Sequence, residues 1–268
     1  MGRTNGNLMY LVKRGEKEGC LDFSIANQAR NAGVKVMCHS EIGLNEAKII
    51  ATGCIKPSFI AFGIKFPCNQ QDRSIMLFDN SLSKHFYSYF IVNDGEGEIV
   101  CVNPLGTKDV QERLELTIKK FEEILELQVG DTRESFSHGV SFGEPVQAGT
   151  DNQLFIGEAG RFQDALGGFG MVYAFWSGYL AAKSILEGKD YTSLWQKEFG
   201  KLLKISLSNR SLYDKLTNKH FERIVNLLES KNAIVKKIRG GDDLRQILNK
   251  LYTSRSILLL RPLVFRPF

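Results

Sequence analysis

The sequence predicts a mixed α/β (α+β) protein. Three observations carry this: a helical segment set between short apolar runs near the start, a central stretch of aromatic and β-branched runs around a hairpin turn, and a strand–glycine loop–helix unit further on. A helical C-terminal region follows. The segments expected are 1–58, 59–150, 151–188 and 189–268.

Leu8-Met9-Tyr10-Leu11-Val12 is a compact apolar run that suits a strand, and Lys13 to Gly19 reads as a polar loop. Asp22 is placed as the N-cap of a helix through Asn31, which Asn31-Ala32-Gly33 would stop with a left-handed residue. Val34-Lys35-Val36-Met37 alternates as a strand, and Lys48-Ile49-Ile50-Ala51 is a second, closed by Thr52-Gly53. A helix flanked by strands is the rhythm of a βαβ unit.

From Phe59 to Val102 the character changes. Ile75–Phe78, Phe86–Val92 and Glu98–Val102 are short runs rich in aromatic and β-branched residues. Asn93-Asp94-Gly95-Glu96-Gly97 between the last two is a hairpin signal, so this part is expected to be an antiparallel sheet. Lys108 to Leu127 carries Val110, Leu114, Ile118, Phe121, Ile124 and Leu125 at helical spacing. Val129 to Gly149 reads as loop or short strand. Beyond Gly188, segments near Leu194–Ser206, Leu212–Lys231 and Asp243–Thr253 have helical spacing, broken at Arg239-Gly240-Gly241-Asp242.

Composition narrows the function classes. The chain has 268 residues, 43% of them apolar, enough for a sizeable core. No apolar run approaches the roughly 18 residues that span a bilayer, and the first residues lack the apolar centre of a signal peptide, so a cytoplasmic location is the default expectation. Cys20, Cys38, Cys54, Cys68 and Cys101 show no Cys-x-x-Cys spacing, and His39, His85, His138 and His220 show no ligand spacing. No metal is expected. Charge is uneven: from Lys189 onward 17 Lys and Arg stand against 7 Asp and Glu, whereas the residues before it hold 18 against 23. Such a basic end suits either a solvated helical face or a membrane surface; a nucleic-acid partner is not expected.

Chemistry concentrates in Leu154-Phe155-Ile156-Gly157-Glu158-Ala159-Gly160, then Asp164-Ala165-Leu166-Gly167-Gly168-Phe169-Gly170-Met171 and an apolar helix through Ser177-Gly178-Tyr179-Leu180-Ala181-Ala182. Glycines before a helix let its free N–H groups approach a flat, electron-accepting ring, and the macrodipole stabilises charge there. An acidic side chain at the strand end can bind hydroxyls. This order resembles the second flavin-contacting motif of FAD-dependent oxidoreductases of the geranylgeranyl reductase and aromatic hydroxylase group. Gly157-Glu158-Ala159 stands for that group's Gly-Asp-Ala, Asp164-Ala165 for Asp-Pro, and Gly168 with Gly170 for the glycine pair. Ala51-Thr52-Gly53 is similar to its Ala-Thr-Gly turn, and the stretch from Tyr10 through Arg14 and Asp22 to Val36 is similar to the segment before that turn.

The resemblance implies a partial FAD-binding, Rossmann-like domain, an antiparallel substrate-domain sheet and a helical C-terminal region. It implies FAD as cofactor, with Arg14, Ala51, Thr52, Gly53, Gly157, Glu158, Asp164, Gly167, Gly168, Gly170 and Met171 near it. The implied reaction is hydride transfer from reduced flavin to an isoprenoid double bond, with no catalytic side chain assigned. The Gly-x-Gly-x-x-Gly pyrophosphate turn occurs nowhere in the 268 residues. The expectation is therefore an N-terminally truncated flavoenzyme that binds FAD weakly or not at all by itself, and that either is completed by an upstream piece or second subunit or is inactive. A flavin monooxygenase fragment and a non-enzymatic scaffold are the alternatives. Arg14 suits a surface ion pair as well as a cofactor contact, and Asp164 suits a helix start as well as a flavin neighbour. Tyr87, Tyr89 and Phe90 suit sheet packing or a lipid cavity wall. Trp176 is expected in the core.

Overall fold

The computed structural model describes residues 11–146 and 153–229. The expected helix at 243–253, the break at 239–242 and the first part of the Leu8–Val12 strand lie outside them. Among the described residues no helix is long and apolar enough to cross a membrane.

The larger β unit is a five-stranded antiparallel sheet in the order β3-β4-β5-β2-β6, formed by β2 (Phe59–Pro67), β3 (Arg73–Leu77), β4 (Ser88–Asn93), β5 (Glu96–Pro104) and β6 (Glu134–Val140). The β4–β5 hairpin turns on Asp94 and Gly95, both at positive φ (58° and 80°), with Asn93 paired to Glu96. Two left-handed residues in a two-residue loop are the turn that matches strand twist, which is why Asp-Gly stands there. β6 is the strand that the sequence left open; Phe136 and His138 pair with Gly63 and Ala61 of β2.

Strand alternation gives this sheet two unlike faces. Ile64, Phe66, Phe90, Val92, Ile99 and Cys101 point to one face, where α2 (Val110–Leu125) covers them with Leu114, Ile118 and Phe121. The 3.6-residue spacing of these α2 positions is what the sequence displayed. The other face carries Ala61, Met76, Tyr89, Val100, Val102 and Phe136, and it looks toward the rest of the molecule.

The second β unit is small. β1 (Ile49–Ile50) runs parallel to β7 (Leu154–Phe155), with the Ile156 N–H donating to the Ile50 carbonyl at 3.0 Å. A short 3-10 turn (Gly157–Gly160) leads to α3 (Met171–Glu187). The Asp190 carboxylate accepts the Ser193 N–H and so starts α4 (Tyr191–Trp195); a π-helical turn (Gln196–Gly200) joins this to α5 (Lys201–Tyr213). Phe162 fills the centre of this layer, within 5.2 Å and 5.3 Å, ring to ring, of Trp195 and Phe199. α6 (Asn218–Glu229) closes on the sheet through Phe221 against Phe78.

Three local expectations are corrected. Asp22 is not an N-cap: it lies inside the first turn of α1 (Leu21–Asn31), and Cys20 occupies the cap position. The Asp22 carboxylate turns back to Arg14 and the Gly15 N–H instead. Val34–Met37 forms no ladder among the described residues, and Val34, Val36 and Met37 are exposed. Alternation alone does not make a strand without a partner edge. Trp176 is not core but 38% exposed. The stop of α1 is as read: the Gly33 N–H donates to Arg30 and the Val34 N–H to Ala29, a Schellman closure.

Candidate functional site

Parallel strands finish at the same end, so β1 and β7 bring Ala51-Thr52-Gly53 and Gly157-Glu158 side by side at their carboxyl ends. In α/β sheets ligands bind outside the carboxyl ends of the strands. Ala51 and Thr52 are exposed there, and Gly53 turns the chain at φ 78°.

Gly157 is fixed by contact. Its φ is 56°, and a Cβ there would lie 3.3 Å from the Ala174 Cβ on α3. Its N–H donates to Ser177 Oγ at 2.8 Å. The small residues Ala174, Ser177 and Gly178 thus let α3 sit directly over the strand end.

Glu158 braces the joint between β6 and the 3-10 turn. Its Oε1 accepts from the Ser141 N–H at 3.3 Å and from Gln163 Nε2 at 3.4 Å, while Oε2 faces His138 Nε2 at 3.8 Å. Its charge also helps to raise the Cys54 thiol above its ordinary range, after the larger effect of burial.

Asp164 is buried and builds the glycine loop. Its carboxylate accepts the Leu166 N–H (3.1 Å) and the Gly167 N–H (2.6 Å). Its carbonyl accepts the Gly168 N–H, and its own N–H donates to the Phe169 carbonyl. Ser206 Oγ on α5 accepts the Ala165 N–H at 2.6 Å. The loop then delivers Gly170 as the residue before α3. No side chain caps that helix, and Met171 is 41% exposed. The uncapped N-terminus keeps its partial positive charge toward the space that it faces.

The aromatic sheet face reaches this loop through Phe86, which packs on Gly168, and through a hydrogen bond that no sequence spacing displays. Tyr87 Oη donates to the Gly167 carbonyl at 2.6 Å, across 80 residues. Phe86 stacks on Tyr87 with ring centroids 4.6 Å apart. Behind Phe86 lies Arg210 of α5, its side chain only 7% exposed. Its guanidinium packs on Phe86 (5.3 Å), Phe59 (5.4 Å) and Tyr213 (4.7 Å) and donates to Asp214 Oδ1 and the His85 carbonyl. Arg14 stands apart, in an exposed two-pronged ion pair with Asp22 at 2.7 Å. The structure therefore brings together Ala51–Gly53, Gly157, Glu158, Asp164 and Gly167–Met171, and leaves Arg14 on the surface. Among the described residues, no group of three or more His, Cys, Asp or Glu is placed to hold a metal ion.

No protein-family model matches the chain, and no curated protein does. Solved structures do. A geranylgeranyl bacteriochlorophyll reductase-like protein from Thermoplasma acidophilum superposes with a TM-score of 0.53 at 12% identity, over 73% of this chain and 55% of that one. This chain shares the fold of that structure over the part it covers. A flavoprotein/dehydrogenase from Cytophaga hutchinsonii (15% identity, 79% of this chain, 53% of that one) and a flavin-dependent halogenase (14%, 87% and 51%) superpose with TM-scores of 0.46 and 0.43. The chain spans about half the length of these structures. The mixed α/β class read from the sequence is the observed one.

The residues present fit one end of a flavin. An isoalloxazine ring needs close backbone approach and positive potential where it gathers charge, and the uncapped α3 start beside the β1 and β7 ends offers both. A pyrophosphate needs oriented N–H groups that no Gly-x-Gly-x-x-Gly turn supplies in these 268 residues.

Proposed function

We propose that this chain forms the ring-holding and substrate-facing part of an FAD-dependent oxidoreductase related to geranylgeranyl reductases. One observation carries the reading: the uncapped start of α3 lies at the carboxyl ends of a parallel strand pair, and Tyr87 ties the loop before it to an aromatic sheet face. When bound, the flavin supplies hydride. The chain would set the ring against an apolar substrate, stabilise charge at the ring through α3, and exclude water with the sheet face. An isoprenoid double bond suits that apolar wall. The pyrophosphate cradle would come from a further segment or a second subunit, which would also cover the outer face of α3. The basic end beyond Lys189 supports, by composition, a peripheral contact with anionic lipid.

Flavin fluorescence quenching on the full chain tests the reading. Riboflavin and FAD are expected to bind with similar, weak affinity, because only the ring end is held. No quenching by either at several hundred micromolar contradicts the proposal and favours a non-enzymatic scaffold. FAD that stays stoichiometric through purification contradicts the need for an external cradle. Turnover with chemically reduced flavin separates the rest: geranylgeraniol gaining two hydrogens supports a reductase, and hydroxylation of an aromatic substrate supports a monooxygenase.

A further inference from the structure

The substrate-facing side of the sheet is apolar near the glycine loop and changes at one place. From the Gly167 carbonyl the path runs through Tyr87 to the Tyr89 ring, 6.3 Å away, one pleat further along β4. Tyr89 pairs across the sheet with Val100, beside Gly63 and Phe136. The Tyr89 hydroxyl donates to Glu98 Oε1 at 3.1 Å. Glu98 lies in the next row, between Lys65 of β2 and Ile91 of β4. Neither Tyr89 nor Glu98 is fully exposed, and the pair sits where the apolar part of this face (Ala61, Met76, Val100, Val102 and Phe136) gives way to a charged row of Lys65, Glu98 and Glu134. A sheet face that served packing alone would gain nothing from a desolvated carboxyl group.

We propose that Glu98 and Tyr89 form a proton-delivery pair for a substrate lying on this face. The proposal rests on the reductase reading above. Alkene saturation needs one hydride and one proton. As one alkene carbon takes hydride from reduced flavin, the other takes the Tyr89 hydroxyl proton: the O–H bond breaks as the C–H bond forms. The Glu98 carboxyl proton moves to the Tyr89 oxygen, so Tyr89 ends as it began and Glu98 ends as carboxylate. The alkene is reduced by two electrons and the flavin is oxidised by two. Solvent then reprotonates Glu98 from the hairpin rim, where Lys65 and Glu96 stand 3.7 Å apart at the surface. The local electrostatics agree in direction: desolvation holds Glu98 above the ordinary glutamate range, opposed by the Tyr89 hydrogen bond and by Lys65, while Glu96 adds to the rise. Desolvation is the main cause that holds the Tyr89 phenol above its ordinary range. Glu134 of β6 is the remaining charged group in that row, opposite Lys65.

The test uses the full chain, geranylgeraniol and chemically reduced FAD under anaerobic conditions, alongside carboxyl carbon NMR of Glu98 assigned with E98Q. In the chain alone Glu98 is expected to titrate above the ordinary range, and geranylgeraniol should move its midpoint further up by excluding water. E98Q and Y89F should slow flavin reoxidation by lipid at least tenfold while lipid affinity stays within about twofold, and circular dichroism checks that both fold. Unchanged rates in E98Q and Y89F, or a Glu98 signal that ignores lipid, overturn the pair while leaving the reductase reading in place. A wild-type chain that takes up lipid and never reoxidises flavin overturns both.

Discussion

At the residue scale the site is held by contacts that are short in space and long in sequence. Gly157 is favoured both by its left-handed φ of 56° and by the tight space, since a Cβ there would lie 3.3 Å from the Ala174 Cβ. Gly157→Ala is expected to lower stability by about 1–2 kcal/mol in urea unfolding. Asp164→Ala removes the acceptor for two loop N–H groups and is expected to cost about 1–3 kcal/mol together with flavin quenching. If quenching survives at full amplitude, Gly167–Gly170 is not the ring site. Glu98 supplies a pH signature. A carboxyl group raised in the fold stabilises most when protonated, so its contribution is complete below its ordinary value of 4.5 and fades as pH rises through the folded midpoint. E98Q should flatten that part of the stability–pH curve; an unchanged slope contradicts the assignment. Arg210, with its aromatic neighbours, is the residue that sequence reasoning had no means to find, since Phe59, Phe86 and Tyr213 are scattered over 155 residues.

At the element scale, legibility followed how local the cause was. The β4–β5 hairpin was readable because Asp94-Gly95 dictates its own turn, and α2 because its buried stripe repeats within sixteen residues. Leu154 to Leu186 was readable as strand, loop and helix because the glycines and Asp164 act on their immediate neighbours. Val34–Met37 was misread because a strand is defined by its partner, which lies elsewhere in the chain. β6 was left undecided for the same reason: its Ser-Phe-Ser-His-Gly pattern becomes a strand only beside β2. α3 is the apolar helix that the sequence displayed, and it is buried on one side only. Tyr173, Ser177, Leu180 and Ala181 are buried, whereas Val172 (59%), Phe175 (52%) and Tyr179 (63%) form an exposed apolar stripe at i, i+3 and i+7. A helix apolar on both sides is ordinarily covered on both. Phe175→Lys with Tyr179→Lys is expected to shift unfolding free energy by under about 0.5 kcal/mol, as at other exposed sites, and to reduce binding of a hydrophobic dye. A large loss of stability would show that the stripe is already packed within the chain.

At the scale of the whole molecule, two layers meet at one loop. The sheet brings an aromatic wall, the α3–α5 layer brings a helix start beside two parallel strand ends, and Tyr87, Ser206 and Arg210 clamp the layers across the glycine loop. On the proposed reading that arrangement would give a flat ring and an apolar substrate a common boundary, and no Gly-x-Gly-x-x-Gly turn for a pyrophosphate occurs in the 268 residues. The most direct measurement is quenching of riboflavin and FAD by the full chain, compared with the Asp164→Ala variant. The account predicts similar weak binding of both flavins by the wild type and a loss of at least tenfold in the variant. Binding of FAD far more tightly than riboflavin, or no binding of either, would contradict it.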